Sequence, residues 1–382
     1  MKVLCVGGTF DNENGTPSGF INKMCSEIKK NNKIELTIYN GGNVHFLHND
    51  ILNSVKNFDV VMWFPNVSNE EEKTRDVKAI NPKTILVTSK RNDNNKYTFA
   101  ELISRSLSIK SNLTIEFSKN DDGLINSMLF DPLGVMYYNG TDITELTNSM
   151  VNRLIDLTLF TRVPTNRVNT DETISVPNEE DFFKFAHECA DIFHNLVRPA
   201  KGTDRFLGNL SFRCQNGFPS FRGENNTIFV SRRNVDKSTI DASSFIATYL
   251  DEDLNVMYYG DNKPSVDTPV QLTLYTLFPW VKYMLHAHCY IDIPKDFTDC
   301  EVFKTTEPIP CGAIEEVGEI STAIEKYLGA DKDEVPNLIA VNLVGHGCLL
   351  MAKNMEVLNK LKTVKDNCFI SRPMPEKFSD LC

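Results

Sequence analysis

The chain has 382 residues, of which 41% are hydrophobic and 24% charged, so we expect a folded protein of about two domains at roughly 150 residues each. Its 51 acidic and 40 basic residues give a net charge of −11, which disfavours binding to nucleic acid and to anionic membranes but permits a small anionic ligand. No apolar run reaches the roughly 18 residues that span a bilayer, and ten cysteines without a CxxC pair predict free thiols in a reducing cytoplasm.

The first part of the chain alternates short apolar runs with helical patterns. Strands are predicted at 3–6, 34–38, 60–64 and 84–88, and helices at 21–28, 99–109 and 143–160. Strands separated by helices indicate βαβ units. Residues 1–160 are therefore predicted to form a Rossmann-like or flavodoxin-like domain of uncertain role.

Glycines follow the first predicted strand and precede the first predicted helix. The segments Gly7-Gly8-Thr9-Phe10 and Gly15-Thr16-Pro17-Ser18-Gly19 resemble the start of nucleotide- or sugar-nucleotide-binding Rossmann-like domains. Backbone N–H groups at a helix N-terminus could face an anion there. A packing or oligomerisation module is an equal alternative. Asp59 and Pro65-Asn66 flank the third strand, and any ligand is expected near strand C-termini.

A polar segment with two prolines, 161–180, is predicted to be a linker. Beyond it, residues 181–382 are predicted to form a second α/β domain. Its helices are expected at 181–196, 270–277, 315–328 and 355–362, and its strands at 227–230, 284–288 and 338–344.

Three of the seven histidines suggest a metal site. His286 and His288 alternate along a predicted strand, so both side chains point to one face. His346 ends another apolar strand between Gly345 and Gly347, where glycines allow close approach. Three neutral imidazoles suit a catalytic zinc with bonds of about 2.0–2.1 Å. The alternative is a chance HxH pair. The other histidines, His45, His48, His187 and His194, are interpreted as structural.

The run KPSVDTPVQLTLYTLFPWVKYMLHAHCY at 263–290 resembles the class II aldolase/adducin family. It is most similar to the L-ribulose-5-phosphate 4-epimerase branch, which has PSSDTPTH, then LY, FP and HTH. The GN[VL]S, IPC and GHG motifs follow the same order as in the family and extend the resemblance to 181–365. Here they read Gly208-Asn209-Leu210-Ser211, Ile309-Pro310-Cys311 and Gly345-His346-Gly347.

The resemblance implies an α/β/α fold, often assembled as a fourfold-symmetric tetramer with active sites between subunits. It implies that Zn²⁺ is bound by His286, His288 and His346, beside the acidic Asp267. The zinc would stabilise an enediolate, which aldolases, epimerases and dehydratases of the family share. The resemblance also gives four candidates for substrate binding. Asn209, Ser231 and Ser265 would hold the phosphate, and Ser211 is the fourth candidate.

The sequence departs from the family where proton donors are expected. Ile314 stands near the aldolase tyrosine, and Phe303 stands near the epimerase aspartate. No tyrosine follows Tyr327, and Gln271 replaces the histidine of PSxDTPxH. Three glutamates are candidate replacement acids or bases, although acids also favour a helix start. They are Glu307, Glu315 and Glu316.

The phosphate loop, usually PSG or PTG, reads Val230-Ser231-Arg232-Arg233. Arg232 and Arg233 could bind a phosphate or carboxylate bidentately, or could be a surface basic pair. Arg213 is placed on the same strand face as Ser211 and could join them.

These observations predict a zinc-dependent lyase that acts on a sugar phosphate or related carbohydrate, with a sugar-nucleotide-like substrate also considered. Asp267, Glu315 and Glu316 are the predicted catalytic residues. A 4-epimerase or dehydratase on the same site is the first alternative. A non-catalytic adducin-like scaffold is the alternative of another class. We expect a cytoplasmic homo-oligomer that binds neither membrane nor nucleic acid.

Overall fold

The computed structural model describes residues 1–7, 19–40, 53–64, 76–119, 123–170, 174–194, 206–214, 227–294, 297–328, 336–370 and 376–377. The chain forms two compact units, one built chiefly from Met1–Leu159 and the other from Phe160–Pro199 and Asp204–Pro373. Among the described residues, none of the helices combines the length and apolar composition that a membrane-spanning segment requires.

The regular elements alternate along most of the chain. The strands are β1 (Lys2–Gly7), β2 (Glu35–Asn40), β3 (Val60–Phe64), β4 (Ile85–Arg91), β5 (Leu113–Lys119), β6 (Ile125–Phe130), β7 (Val135–Gly140), β8 (Thr165–Arg167), β9 (Asn209–Arg213), β10 (Ile228–Ser231), β11 (Phe245–Leu250), β12 (Val256–Tyr258), β13 (Tyr283–Ala287), β14 (Tyr290–Ile291), β15 (Cys300–Lys304), β16 (Leu338–Leu343), β17 (Gly347–Ala352), β18 (Phe369–Ile370) and β19 (Glu376–Lys377). The helices are α1 (Gly19–Ile28), α2 (Phe99–Ser108), α3 (Ile143–Leu159), α4 (Glu180–Glu188), α5 (Ala190–His194), α6 (Thr268–Leu277), α7 (Glu315–Leu328) and α8 (Met355–Cys368). Short 3-10 helices span Val55–Asn57, Asp93–Asn95, Lys237–Thr239 and Ala242–Ser244.

The first unit is a doubly wound sheet in the order β2-β1-β3-β4-β5, all parallel, which is the flavodoxin-like order. The hairpin β6–β7 extends it antiparallel, and β19 pairs parallel with β7 at the edge. One face packs on α1 and α3, and Phe130 on the opposite face packs on α2. The predicted Rossmann-like or flavodoxin-like fold is confirmed, with a C-terminal strand that returns to this sheet.

Much of the glycine-rich segment proposed to bind a ligand lies outside the described residues. The structure does not describe residues 8–18 of this segment. It also does not describe Pro65-Asn66, His45 and His48. Asp59 precedes β3 rather than following it, and its Oδ2 accepts a hydrogen bond from the backbone N of Lys2 at 2.7 Å. Asp59 therefore fixes strand β1 and lies at the wrong end of the sheet for the expected ligand.

The second unit is a nine-stranded mixed sheet in the order β15-β16-β17-β13-β9-β10-β11-β12-β8. Helices α4, α5 and α8 cover one face, and α6 and α7 cover the other. Side chains alternate between the faces: Leu285 packs under the first helix group and Met284 under the second. This is the α/β/α arrangement that the resemblance implies.

Two stretches of the second unit differ from the sequence prediction. The segment expected to be a linker contributes β8, which pairs parallel with β12 at the edge of the sheet. The single helix expected at 181–196 is two helices, α4 and α5, which are separated by the buried Cys189.

Candidate metal centre

Strand β13 and the turn between β16 and β17 bring three histidines together. His286 lies near the end of β13, His288 follows the strand, and His346 lies in the turn. Their ring centroids are 4.6 to 5.1 Å apart. Each residue offers a ring nitrogen within 4.8 Å of the other two, and the three are 2%, 6% and 1% exposed. The three predicted metal ligands therefore converge in the protein interior.

Gly347 makes this convergence possible. A Cβ added there would lie 2.1 Å from the carbonyl oxygen of Ala287 and 2.8 Å from the Cα of His288. Only glycine lets the His346 turn lie this close to the end of β13. The turn is fixed further by Gly345, which has a φ of +67° and donates its N–H to the hydroxyl of Tyr290 at 3.0 Å. This is the close approach that the flanking glycines predict.

Hydrogen bonds fix which ring nitrogen faces the centre. Nδ1 of His286 donates to the carbonyl oxygen of Cys348 at 3.0 Å, and its Nε2 has no hydrogen-bond partner among the described residues. Nδ1 of His346 contacts Oε1 of Glu316 at 2.7 Å, and its Nε2 faces Sγ of Cys311 at 3.1 Å. A carboxylate or carbonyl behind each imidazole is the usual support of a histidine metal ligand. In both rings the protein holds Nδ1, so Nε2 is the nitrogen available to a metal.

The electrostatics favour an uncharged ring at His286. Burial, with His346 nearby, lowers the pKa of His286 to about 4. Burial also disfavours the charged ring of His346, but Cys311 and Glu316 outweigh it and raise the pKa of His346. Burial raises the pKa of Glu316 as well. Cys311 and Glu316 favour a positive charge on the ring of His346, and a cation bound at its Nε2 would supply that charge in place of a proton.

The residues fit a divalent cation. A buried nitrogen without a partner, such as Nε2 of His286, costs roughly 1–3 kcal/mol of desolvation unless a ligand satisfies it. Three imidazole donors suit a first-row metal such as zinc. Such an ion would be held by His286, His288 and His346.

Asp267, at the start of α6, lies beside these rings. Its Oδ2 is 3.9 Å from Nε2 of His286 and accepts a hydrogen bond from Nδ2 of Asn209 at 2.8 Å. Nε2 of Gln271 donates in turn to Oδ1 of Asn209. Oδ1 of Asp267 has no hydrogen-bond partner in the part of the chain that the structure describes. Gln271, where the family has a histidine, therefore orients Asn209, and Asn209 orients Asp267.

Two predicted substrate-binding serines already have partners. Oγ of Ser211 is 3.1 Å from the hydroxyl of Tyr275, and Arg213 donates to the carbonyl oxygen of Tyr275. Oγ of Ser231 accepts the N–H of Leu210 at 3.1 Å. Both serines are fully buried. Ser231 thus joins β10 to β9, Ser211 joins β9 to α6, and their contact with a substrate stays a prediction.

Of the other phosphate-binding candidates, Arg232 and Arg233 directly follow β10, and Ser265 lies beside that end of the strand because its backbone N donates to the carbonyl oxygen of Ser231 at 3.1 Å. Oγ of Ser265 is 3.4 Å from the backbone N of Asp267. Nε of Arg233 donates to the carbonyl oxygen of Pro264 at 2.9 Å, and burial lowers the pKa of this arginine. Arg232 is half-buried, and its backbone N donates to the carbonyl oxygen of Ser244.

The two adjacent glutamates at the start of α7 have different surroundings. Glu316 is 3% exposed and contacts His346, whereas Oε1 of Glu315 accepts the backbone N–H of Thr161 at 2.9 Å. The backbone N of Glu307 donates to Oε2 of Glu319. Of the candidate replacement acids, the structure brings Glu316 to the histidines. Sequence reasoning treated Cys311 only as part of a motif, although it contacts the third ligand.

Phe303 and Ile314, which stand where the family has proton donors, lie in the hydrophobic core, and His187 contacts the backbone. Phe303 is buried in the core beneath α6 and α7, and Ile314 packs against that core. The structural interpretation of His187 is confirmed because its Nε2 contacts the carbonyl oxygen of Ile240.

The family profile described as "Class II Aldolase and Adducin N-terminal domain" matches residues 187–361. No curated protein sequence matches the chain. Similar solved structures include an N-terminal class II aldolase domain from Thermoplasma acidophilum, at 14% identity over 52% of this chain and 97% of that one, with a TM-score of 0.32.

Two further solved structures are similar at comparable levels. A putative aldolase/epimerase/decarboxylase from Klebsiella pneumoniae is 15% identical over 48% of this chain and 84% of its own, with a TM-score of 0.28. The DNA/pantothenate metabolism flavoprotein from Streptococcus pneumoniae is 10% identical over 41% of this chain and 99% of its own, with a TM-score of 0.33. The profile match covers all three histidines and Asp267, and it does not select the epimerase branch. Residues 187–361, just under half of the chain, are therefore similar to the class II aldolase and adducin family.

Proposed function

We propose that the second unit is a zinc-dependent lyase that forms or cleaves a carbon–carbon bond next to a carbonyl in a phosphorylated sugar or related carbohydrate. The observation that carries the proposal is the convergence of three buried imidazoles, two of them held from behind through Nδ1. Members of this family are generally enzymes and typically depend on a metal. An intact set of ligands supports catalysis over an adducin-like scaffold role.

The chain's own residues would divide the work. Zn²⁺, when bound, supplies a Lewis acid that stabilises negative charge developing on substrate oxygens. His286, His288 and His346 would hold it, and Glu316 orients the last of these. Asp267 has an oxygen without an internal partner among the described residues, so it could take the proton of the hydroxyl next to the breaking bond and return it.

Asp267 is favoured as the proton carrier because the family's other positions are apolar. Phe303 is 4% exposed and Ile314 packs against the same core, so neither offers a proton. Glu316 is committed to the ring of His346. An aspartate at position 267 is also what the resemblance to the epimerase branch implies. Epimerisation and dehydration are therefore outcomes that the assay must distinguish from bond cleavage.

Arg232 and Arg233 are proposed to bind the substrate's phosphate. Nε of Arg233 is bound to Pro264, which fixes the guanidinium and leaves its terminal nitrogens for an anion. Alanine at either position should raise the KM about tenfold or more, as expected for a lost charge-assisted hydrogen bond of about 1.5–3 kcal/mol. Arg167→Ala, which removes an exposed pairing with Asp261, is the control. An unchanged KM in both variants would reject this role.

Assembly and location complete the proposal. Every cysteine in the described part of the chain is a free thiol, which supports the expected reducing cytoplasm. We also propose the fourfold tetramer that the resemblance implies. Light scattering of the purified chain would test it, and a monomer would contradict it.

The catalytic proposal is tested with the zinc-loaded chain and a panel of phosphorylated ketoses, with products identified by NMR. Carbonyl fragments are expected from at least one substrate, and Asp267→Asn should abolish their formation while zinc stays bound. Asp253→Asn, at an exposed turn, is the matched control and should retain activity. Epimers without fragments would indicate the epimerase alternative. Bound zinc without any turnover of the panel would contradict the proposed lyase.

A further inference from the structure

A third arginine lies near the metal centre, in a segment that the sequence predicted to be a linker. Nη1 of Arg162 donates to the carbonyl oxygen of Cys311 at 2.9 Å. The thiol of the same cysteine is 3.1 Å from Nε2 of His346. The side chain of Arg162 is exposed, and a guanidinium has further N–H donors beyond the one that this bond uses. Arg162 therefore brings a positive charge to the neighbourhood of the third histidine.

The backbone beside Arg162 is held against the segment that follows Cys311. The N–H of Thr161 donates to Oε1 of Glu315 at 2.9 Å. The carbonyl oxygen of Thr161 accepts the N–H of Ile314 at 3.2 Å. The position of Arg162 is therefore set by backbone contacts as well as by its own side chain.

Arg233 is held at a neighbouring segment. Its Nε donates to the carbonyl oxygen of Pro264 at 2.9 Å. A Cβ added at Gly312 would lie 2.5 Å from the carbonyl oxygen of Val266, so the chain directly after Cys311 packs against the chain directly after Pro264. The two carbonyl groups that hold the arginines thus belong to segments in contact with each other.

The charges of the two arginines act on each other. Partial burial lowers the pKa of Arg233, the charge of Asp267 opposes this shift, and the charge of Arg162 adds to it. Neither guanidinium forms an ion pair with a carboxylate among the described residues. Two like charges held close together without an ion pair of their own favour the binding of an anion.

We propose that Arg162 is a further substrate-binding residue, and that its guanidinium and that of Arg233 together bind one phosphate group of the substrate. This inference rests on the proposed function, because it assigns the phosphate of that substrate to a residue outside the family match at 187–361. A phosphate offers three terminal oxygens and a carboxylate offers two, so a phosphate suits two guanidiniums better.

Calorimetric titration of the zinc-loaded full chain with inorganic phosphate tests this pair of arginines without any turnover. Arg162→Gln keeps an N–H donor for the carbonyl oxygen of Cys311 and removes the charge. It should weaken phosphate binding about tenfold, as expected for the loss of a charge-assisted hydrogen bond, and should leave the zinc content unchanged. Arg167→Gln is the matched control and should keep the affinity, because this exposed arginine pairs with Asp261.

The stoichiometry distinguishes one shared phosphate from two separate ones. One phosphate per chain should bind, and Arg233→Ala should weaken the same binding event as Arg162→Gln. Two phosphates per chain, of which each substitution removes one, would overturn the shared site. Acetate should bind more weakly than phosphate, and an equal affinity for acetate would overturn the assignment to a phosphate group.

The outcomes separate this inference from the proposed function. An unchanged phosphate affinity in Arg162→Gln would overturn the role of Arg162 and leave the lyase standing. A zinc content that falls together with the phosphate affinity would assign Arg162 a structural role and also overturn its contact with substrate. Absence of phosphate binding by the unaltered chain would overturn the shared site. Phosphate binding that needs both arginines, without turnover of the ketose panel, would support the shared site and contradict the lyase.

Discussion

Replacing Gly347 by alanine tests the backbone contact on which the histidine cluster depends. The added Cβ would stand 2.1 Å from the carbonyl oxygen of Ala287 and 2.8 Å from the Cα of His288. Both are backbone atoms, so no side chain can rotate away to relieve the contact. Overpacking a tight interior typically costs 1–3 kcal/mol, and a clash with backbone places Gly347→Ala at the upper end, about 3 kcal/mol in the free energy of unfolding.

The matched control is the same substitution at Gly318. That residue is exposed within α7, and a Cβ added there meets no atom within 4 Å. Alanine is favoured over glycine inside a helix by roughly 0.5–1 kcal/mol, so Gly318→Ala should stabilise the second unit slightly. The two variants are therefore predicted to shift the free energy of unfolding in opposite directions.

Urea unfolding measures the difference through Trp280, which lies in the second unit. The chain has two tryptophans, and a Trp63→Phe background removes the signal of the first unit. Gly347→Ala should also bind zinc more weakly, because relief of the clash moves His346 away from His288. The reasoning is refuted if Gly347→Ala unfolds within about 0.5 kcal/mol of the background chain while Gly318→Ala behaves as expected.

Two further predictions concern buried carboxyl groups. Glu316→Gln should weaken zinc binding about 10- to 100-fold in a chelator competition, because Glu316 orients the ring of His346. Glu315→Gln is the control and should leave zinc binding near the value of the unaltered chain. Equal effects of the two substitutions would contradict the role of Glu316. Burial raises the pKa of Glu116 to about 7, above its unfolded value of 4.5, so its contribution to stability is present below the unfolded value and is lost as the pH rises through about 7. The free energy of unfolding of the first unit should therefore decline between about pH 5 and pH 8, and Glu116→Gln should remove about 3 kcal/mol of that decline. Trp63 fluorescence reports the unfolding. Glu35→Gln, at an exposed position, is the control and should leave the decline unchanged. A pH dependence of unfolding that Glu116→Gln does not alter would contradict the raised pKa of Glu116.

The elements buried on both faces were the most predictable. Strand β3 matches its prediction at both ends because all five residues are buried and apolar. Helix α7 also matches, because its apolar residues recur at helical spacing. Strand β8 was missed because an exposed edge strand of polar residues resembles a linker. The hairpin β6–β7 was missed because it is held by a local turn, in which Oδ1 of Asp131 accepts two backbone N–H groups.

The candidate site was predictable where it depends on spacing and not where it depends on tertiary contact. Alternation in β13 placed His286 and His288 together, and the glycines around His346 indicated a close approach. Sequence could not choose between Glu315 and Glu316, because the choice depends on the side of α7 that meets a turn 30 residues away. It also gave Cys311 no role, since its contact with the third ligand spans 35 residues.

The zinc content of the purified full chain tests the central claim most directly. One zinc per chain is predicted, and single alanine substitutions at His286, His288 and His346 should each abolish it. His187→Ala should retain the metal, because that ring contacts a backbone carbonyl away from the centre. A chain that binds no zinc, or one that keeps it in all three variants, would contradict the account.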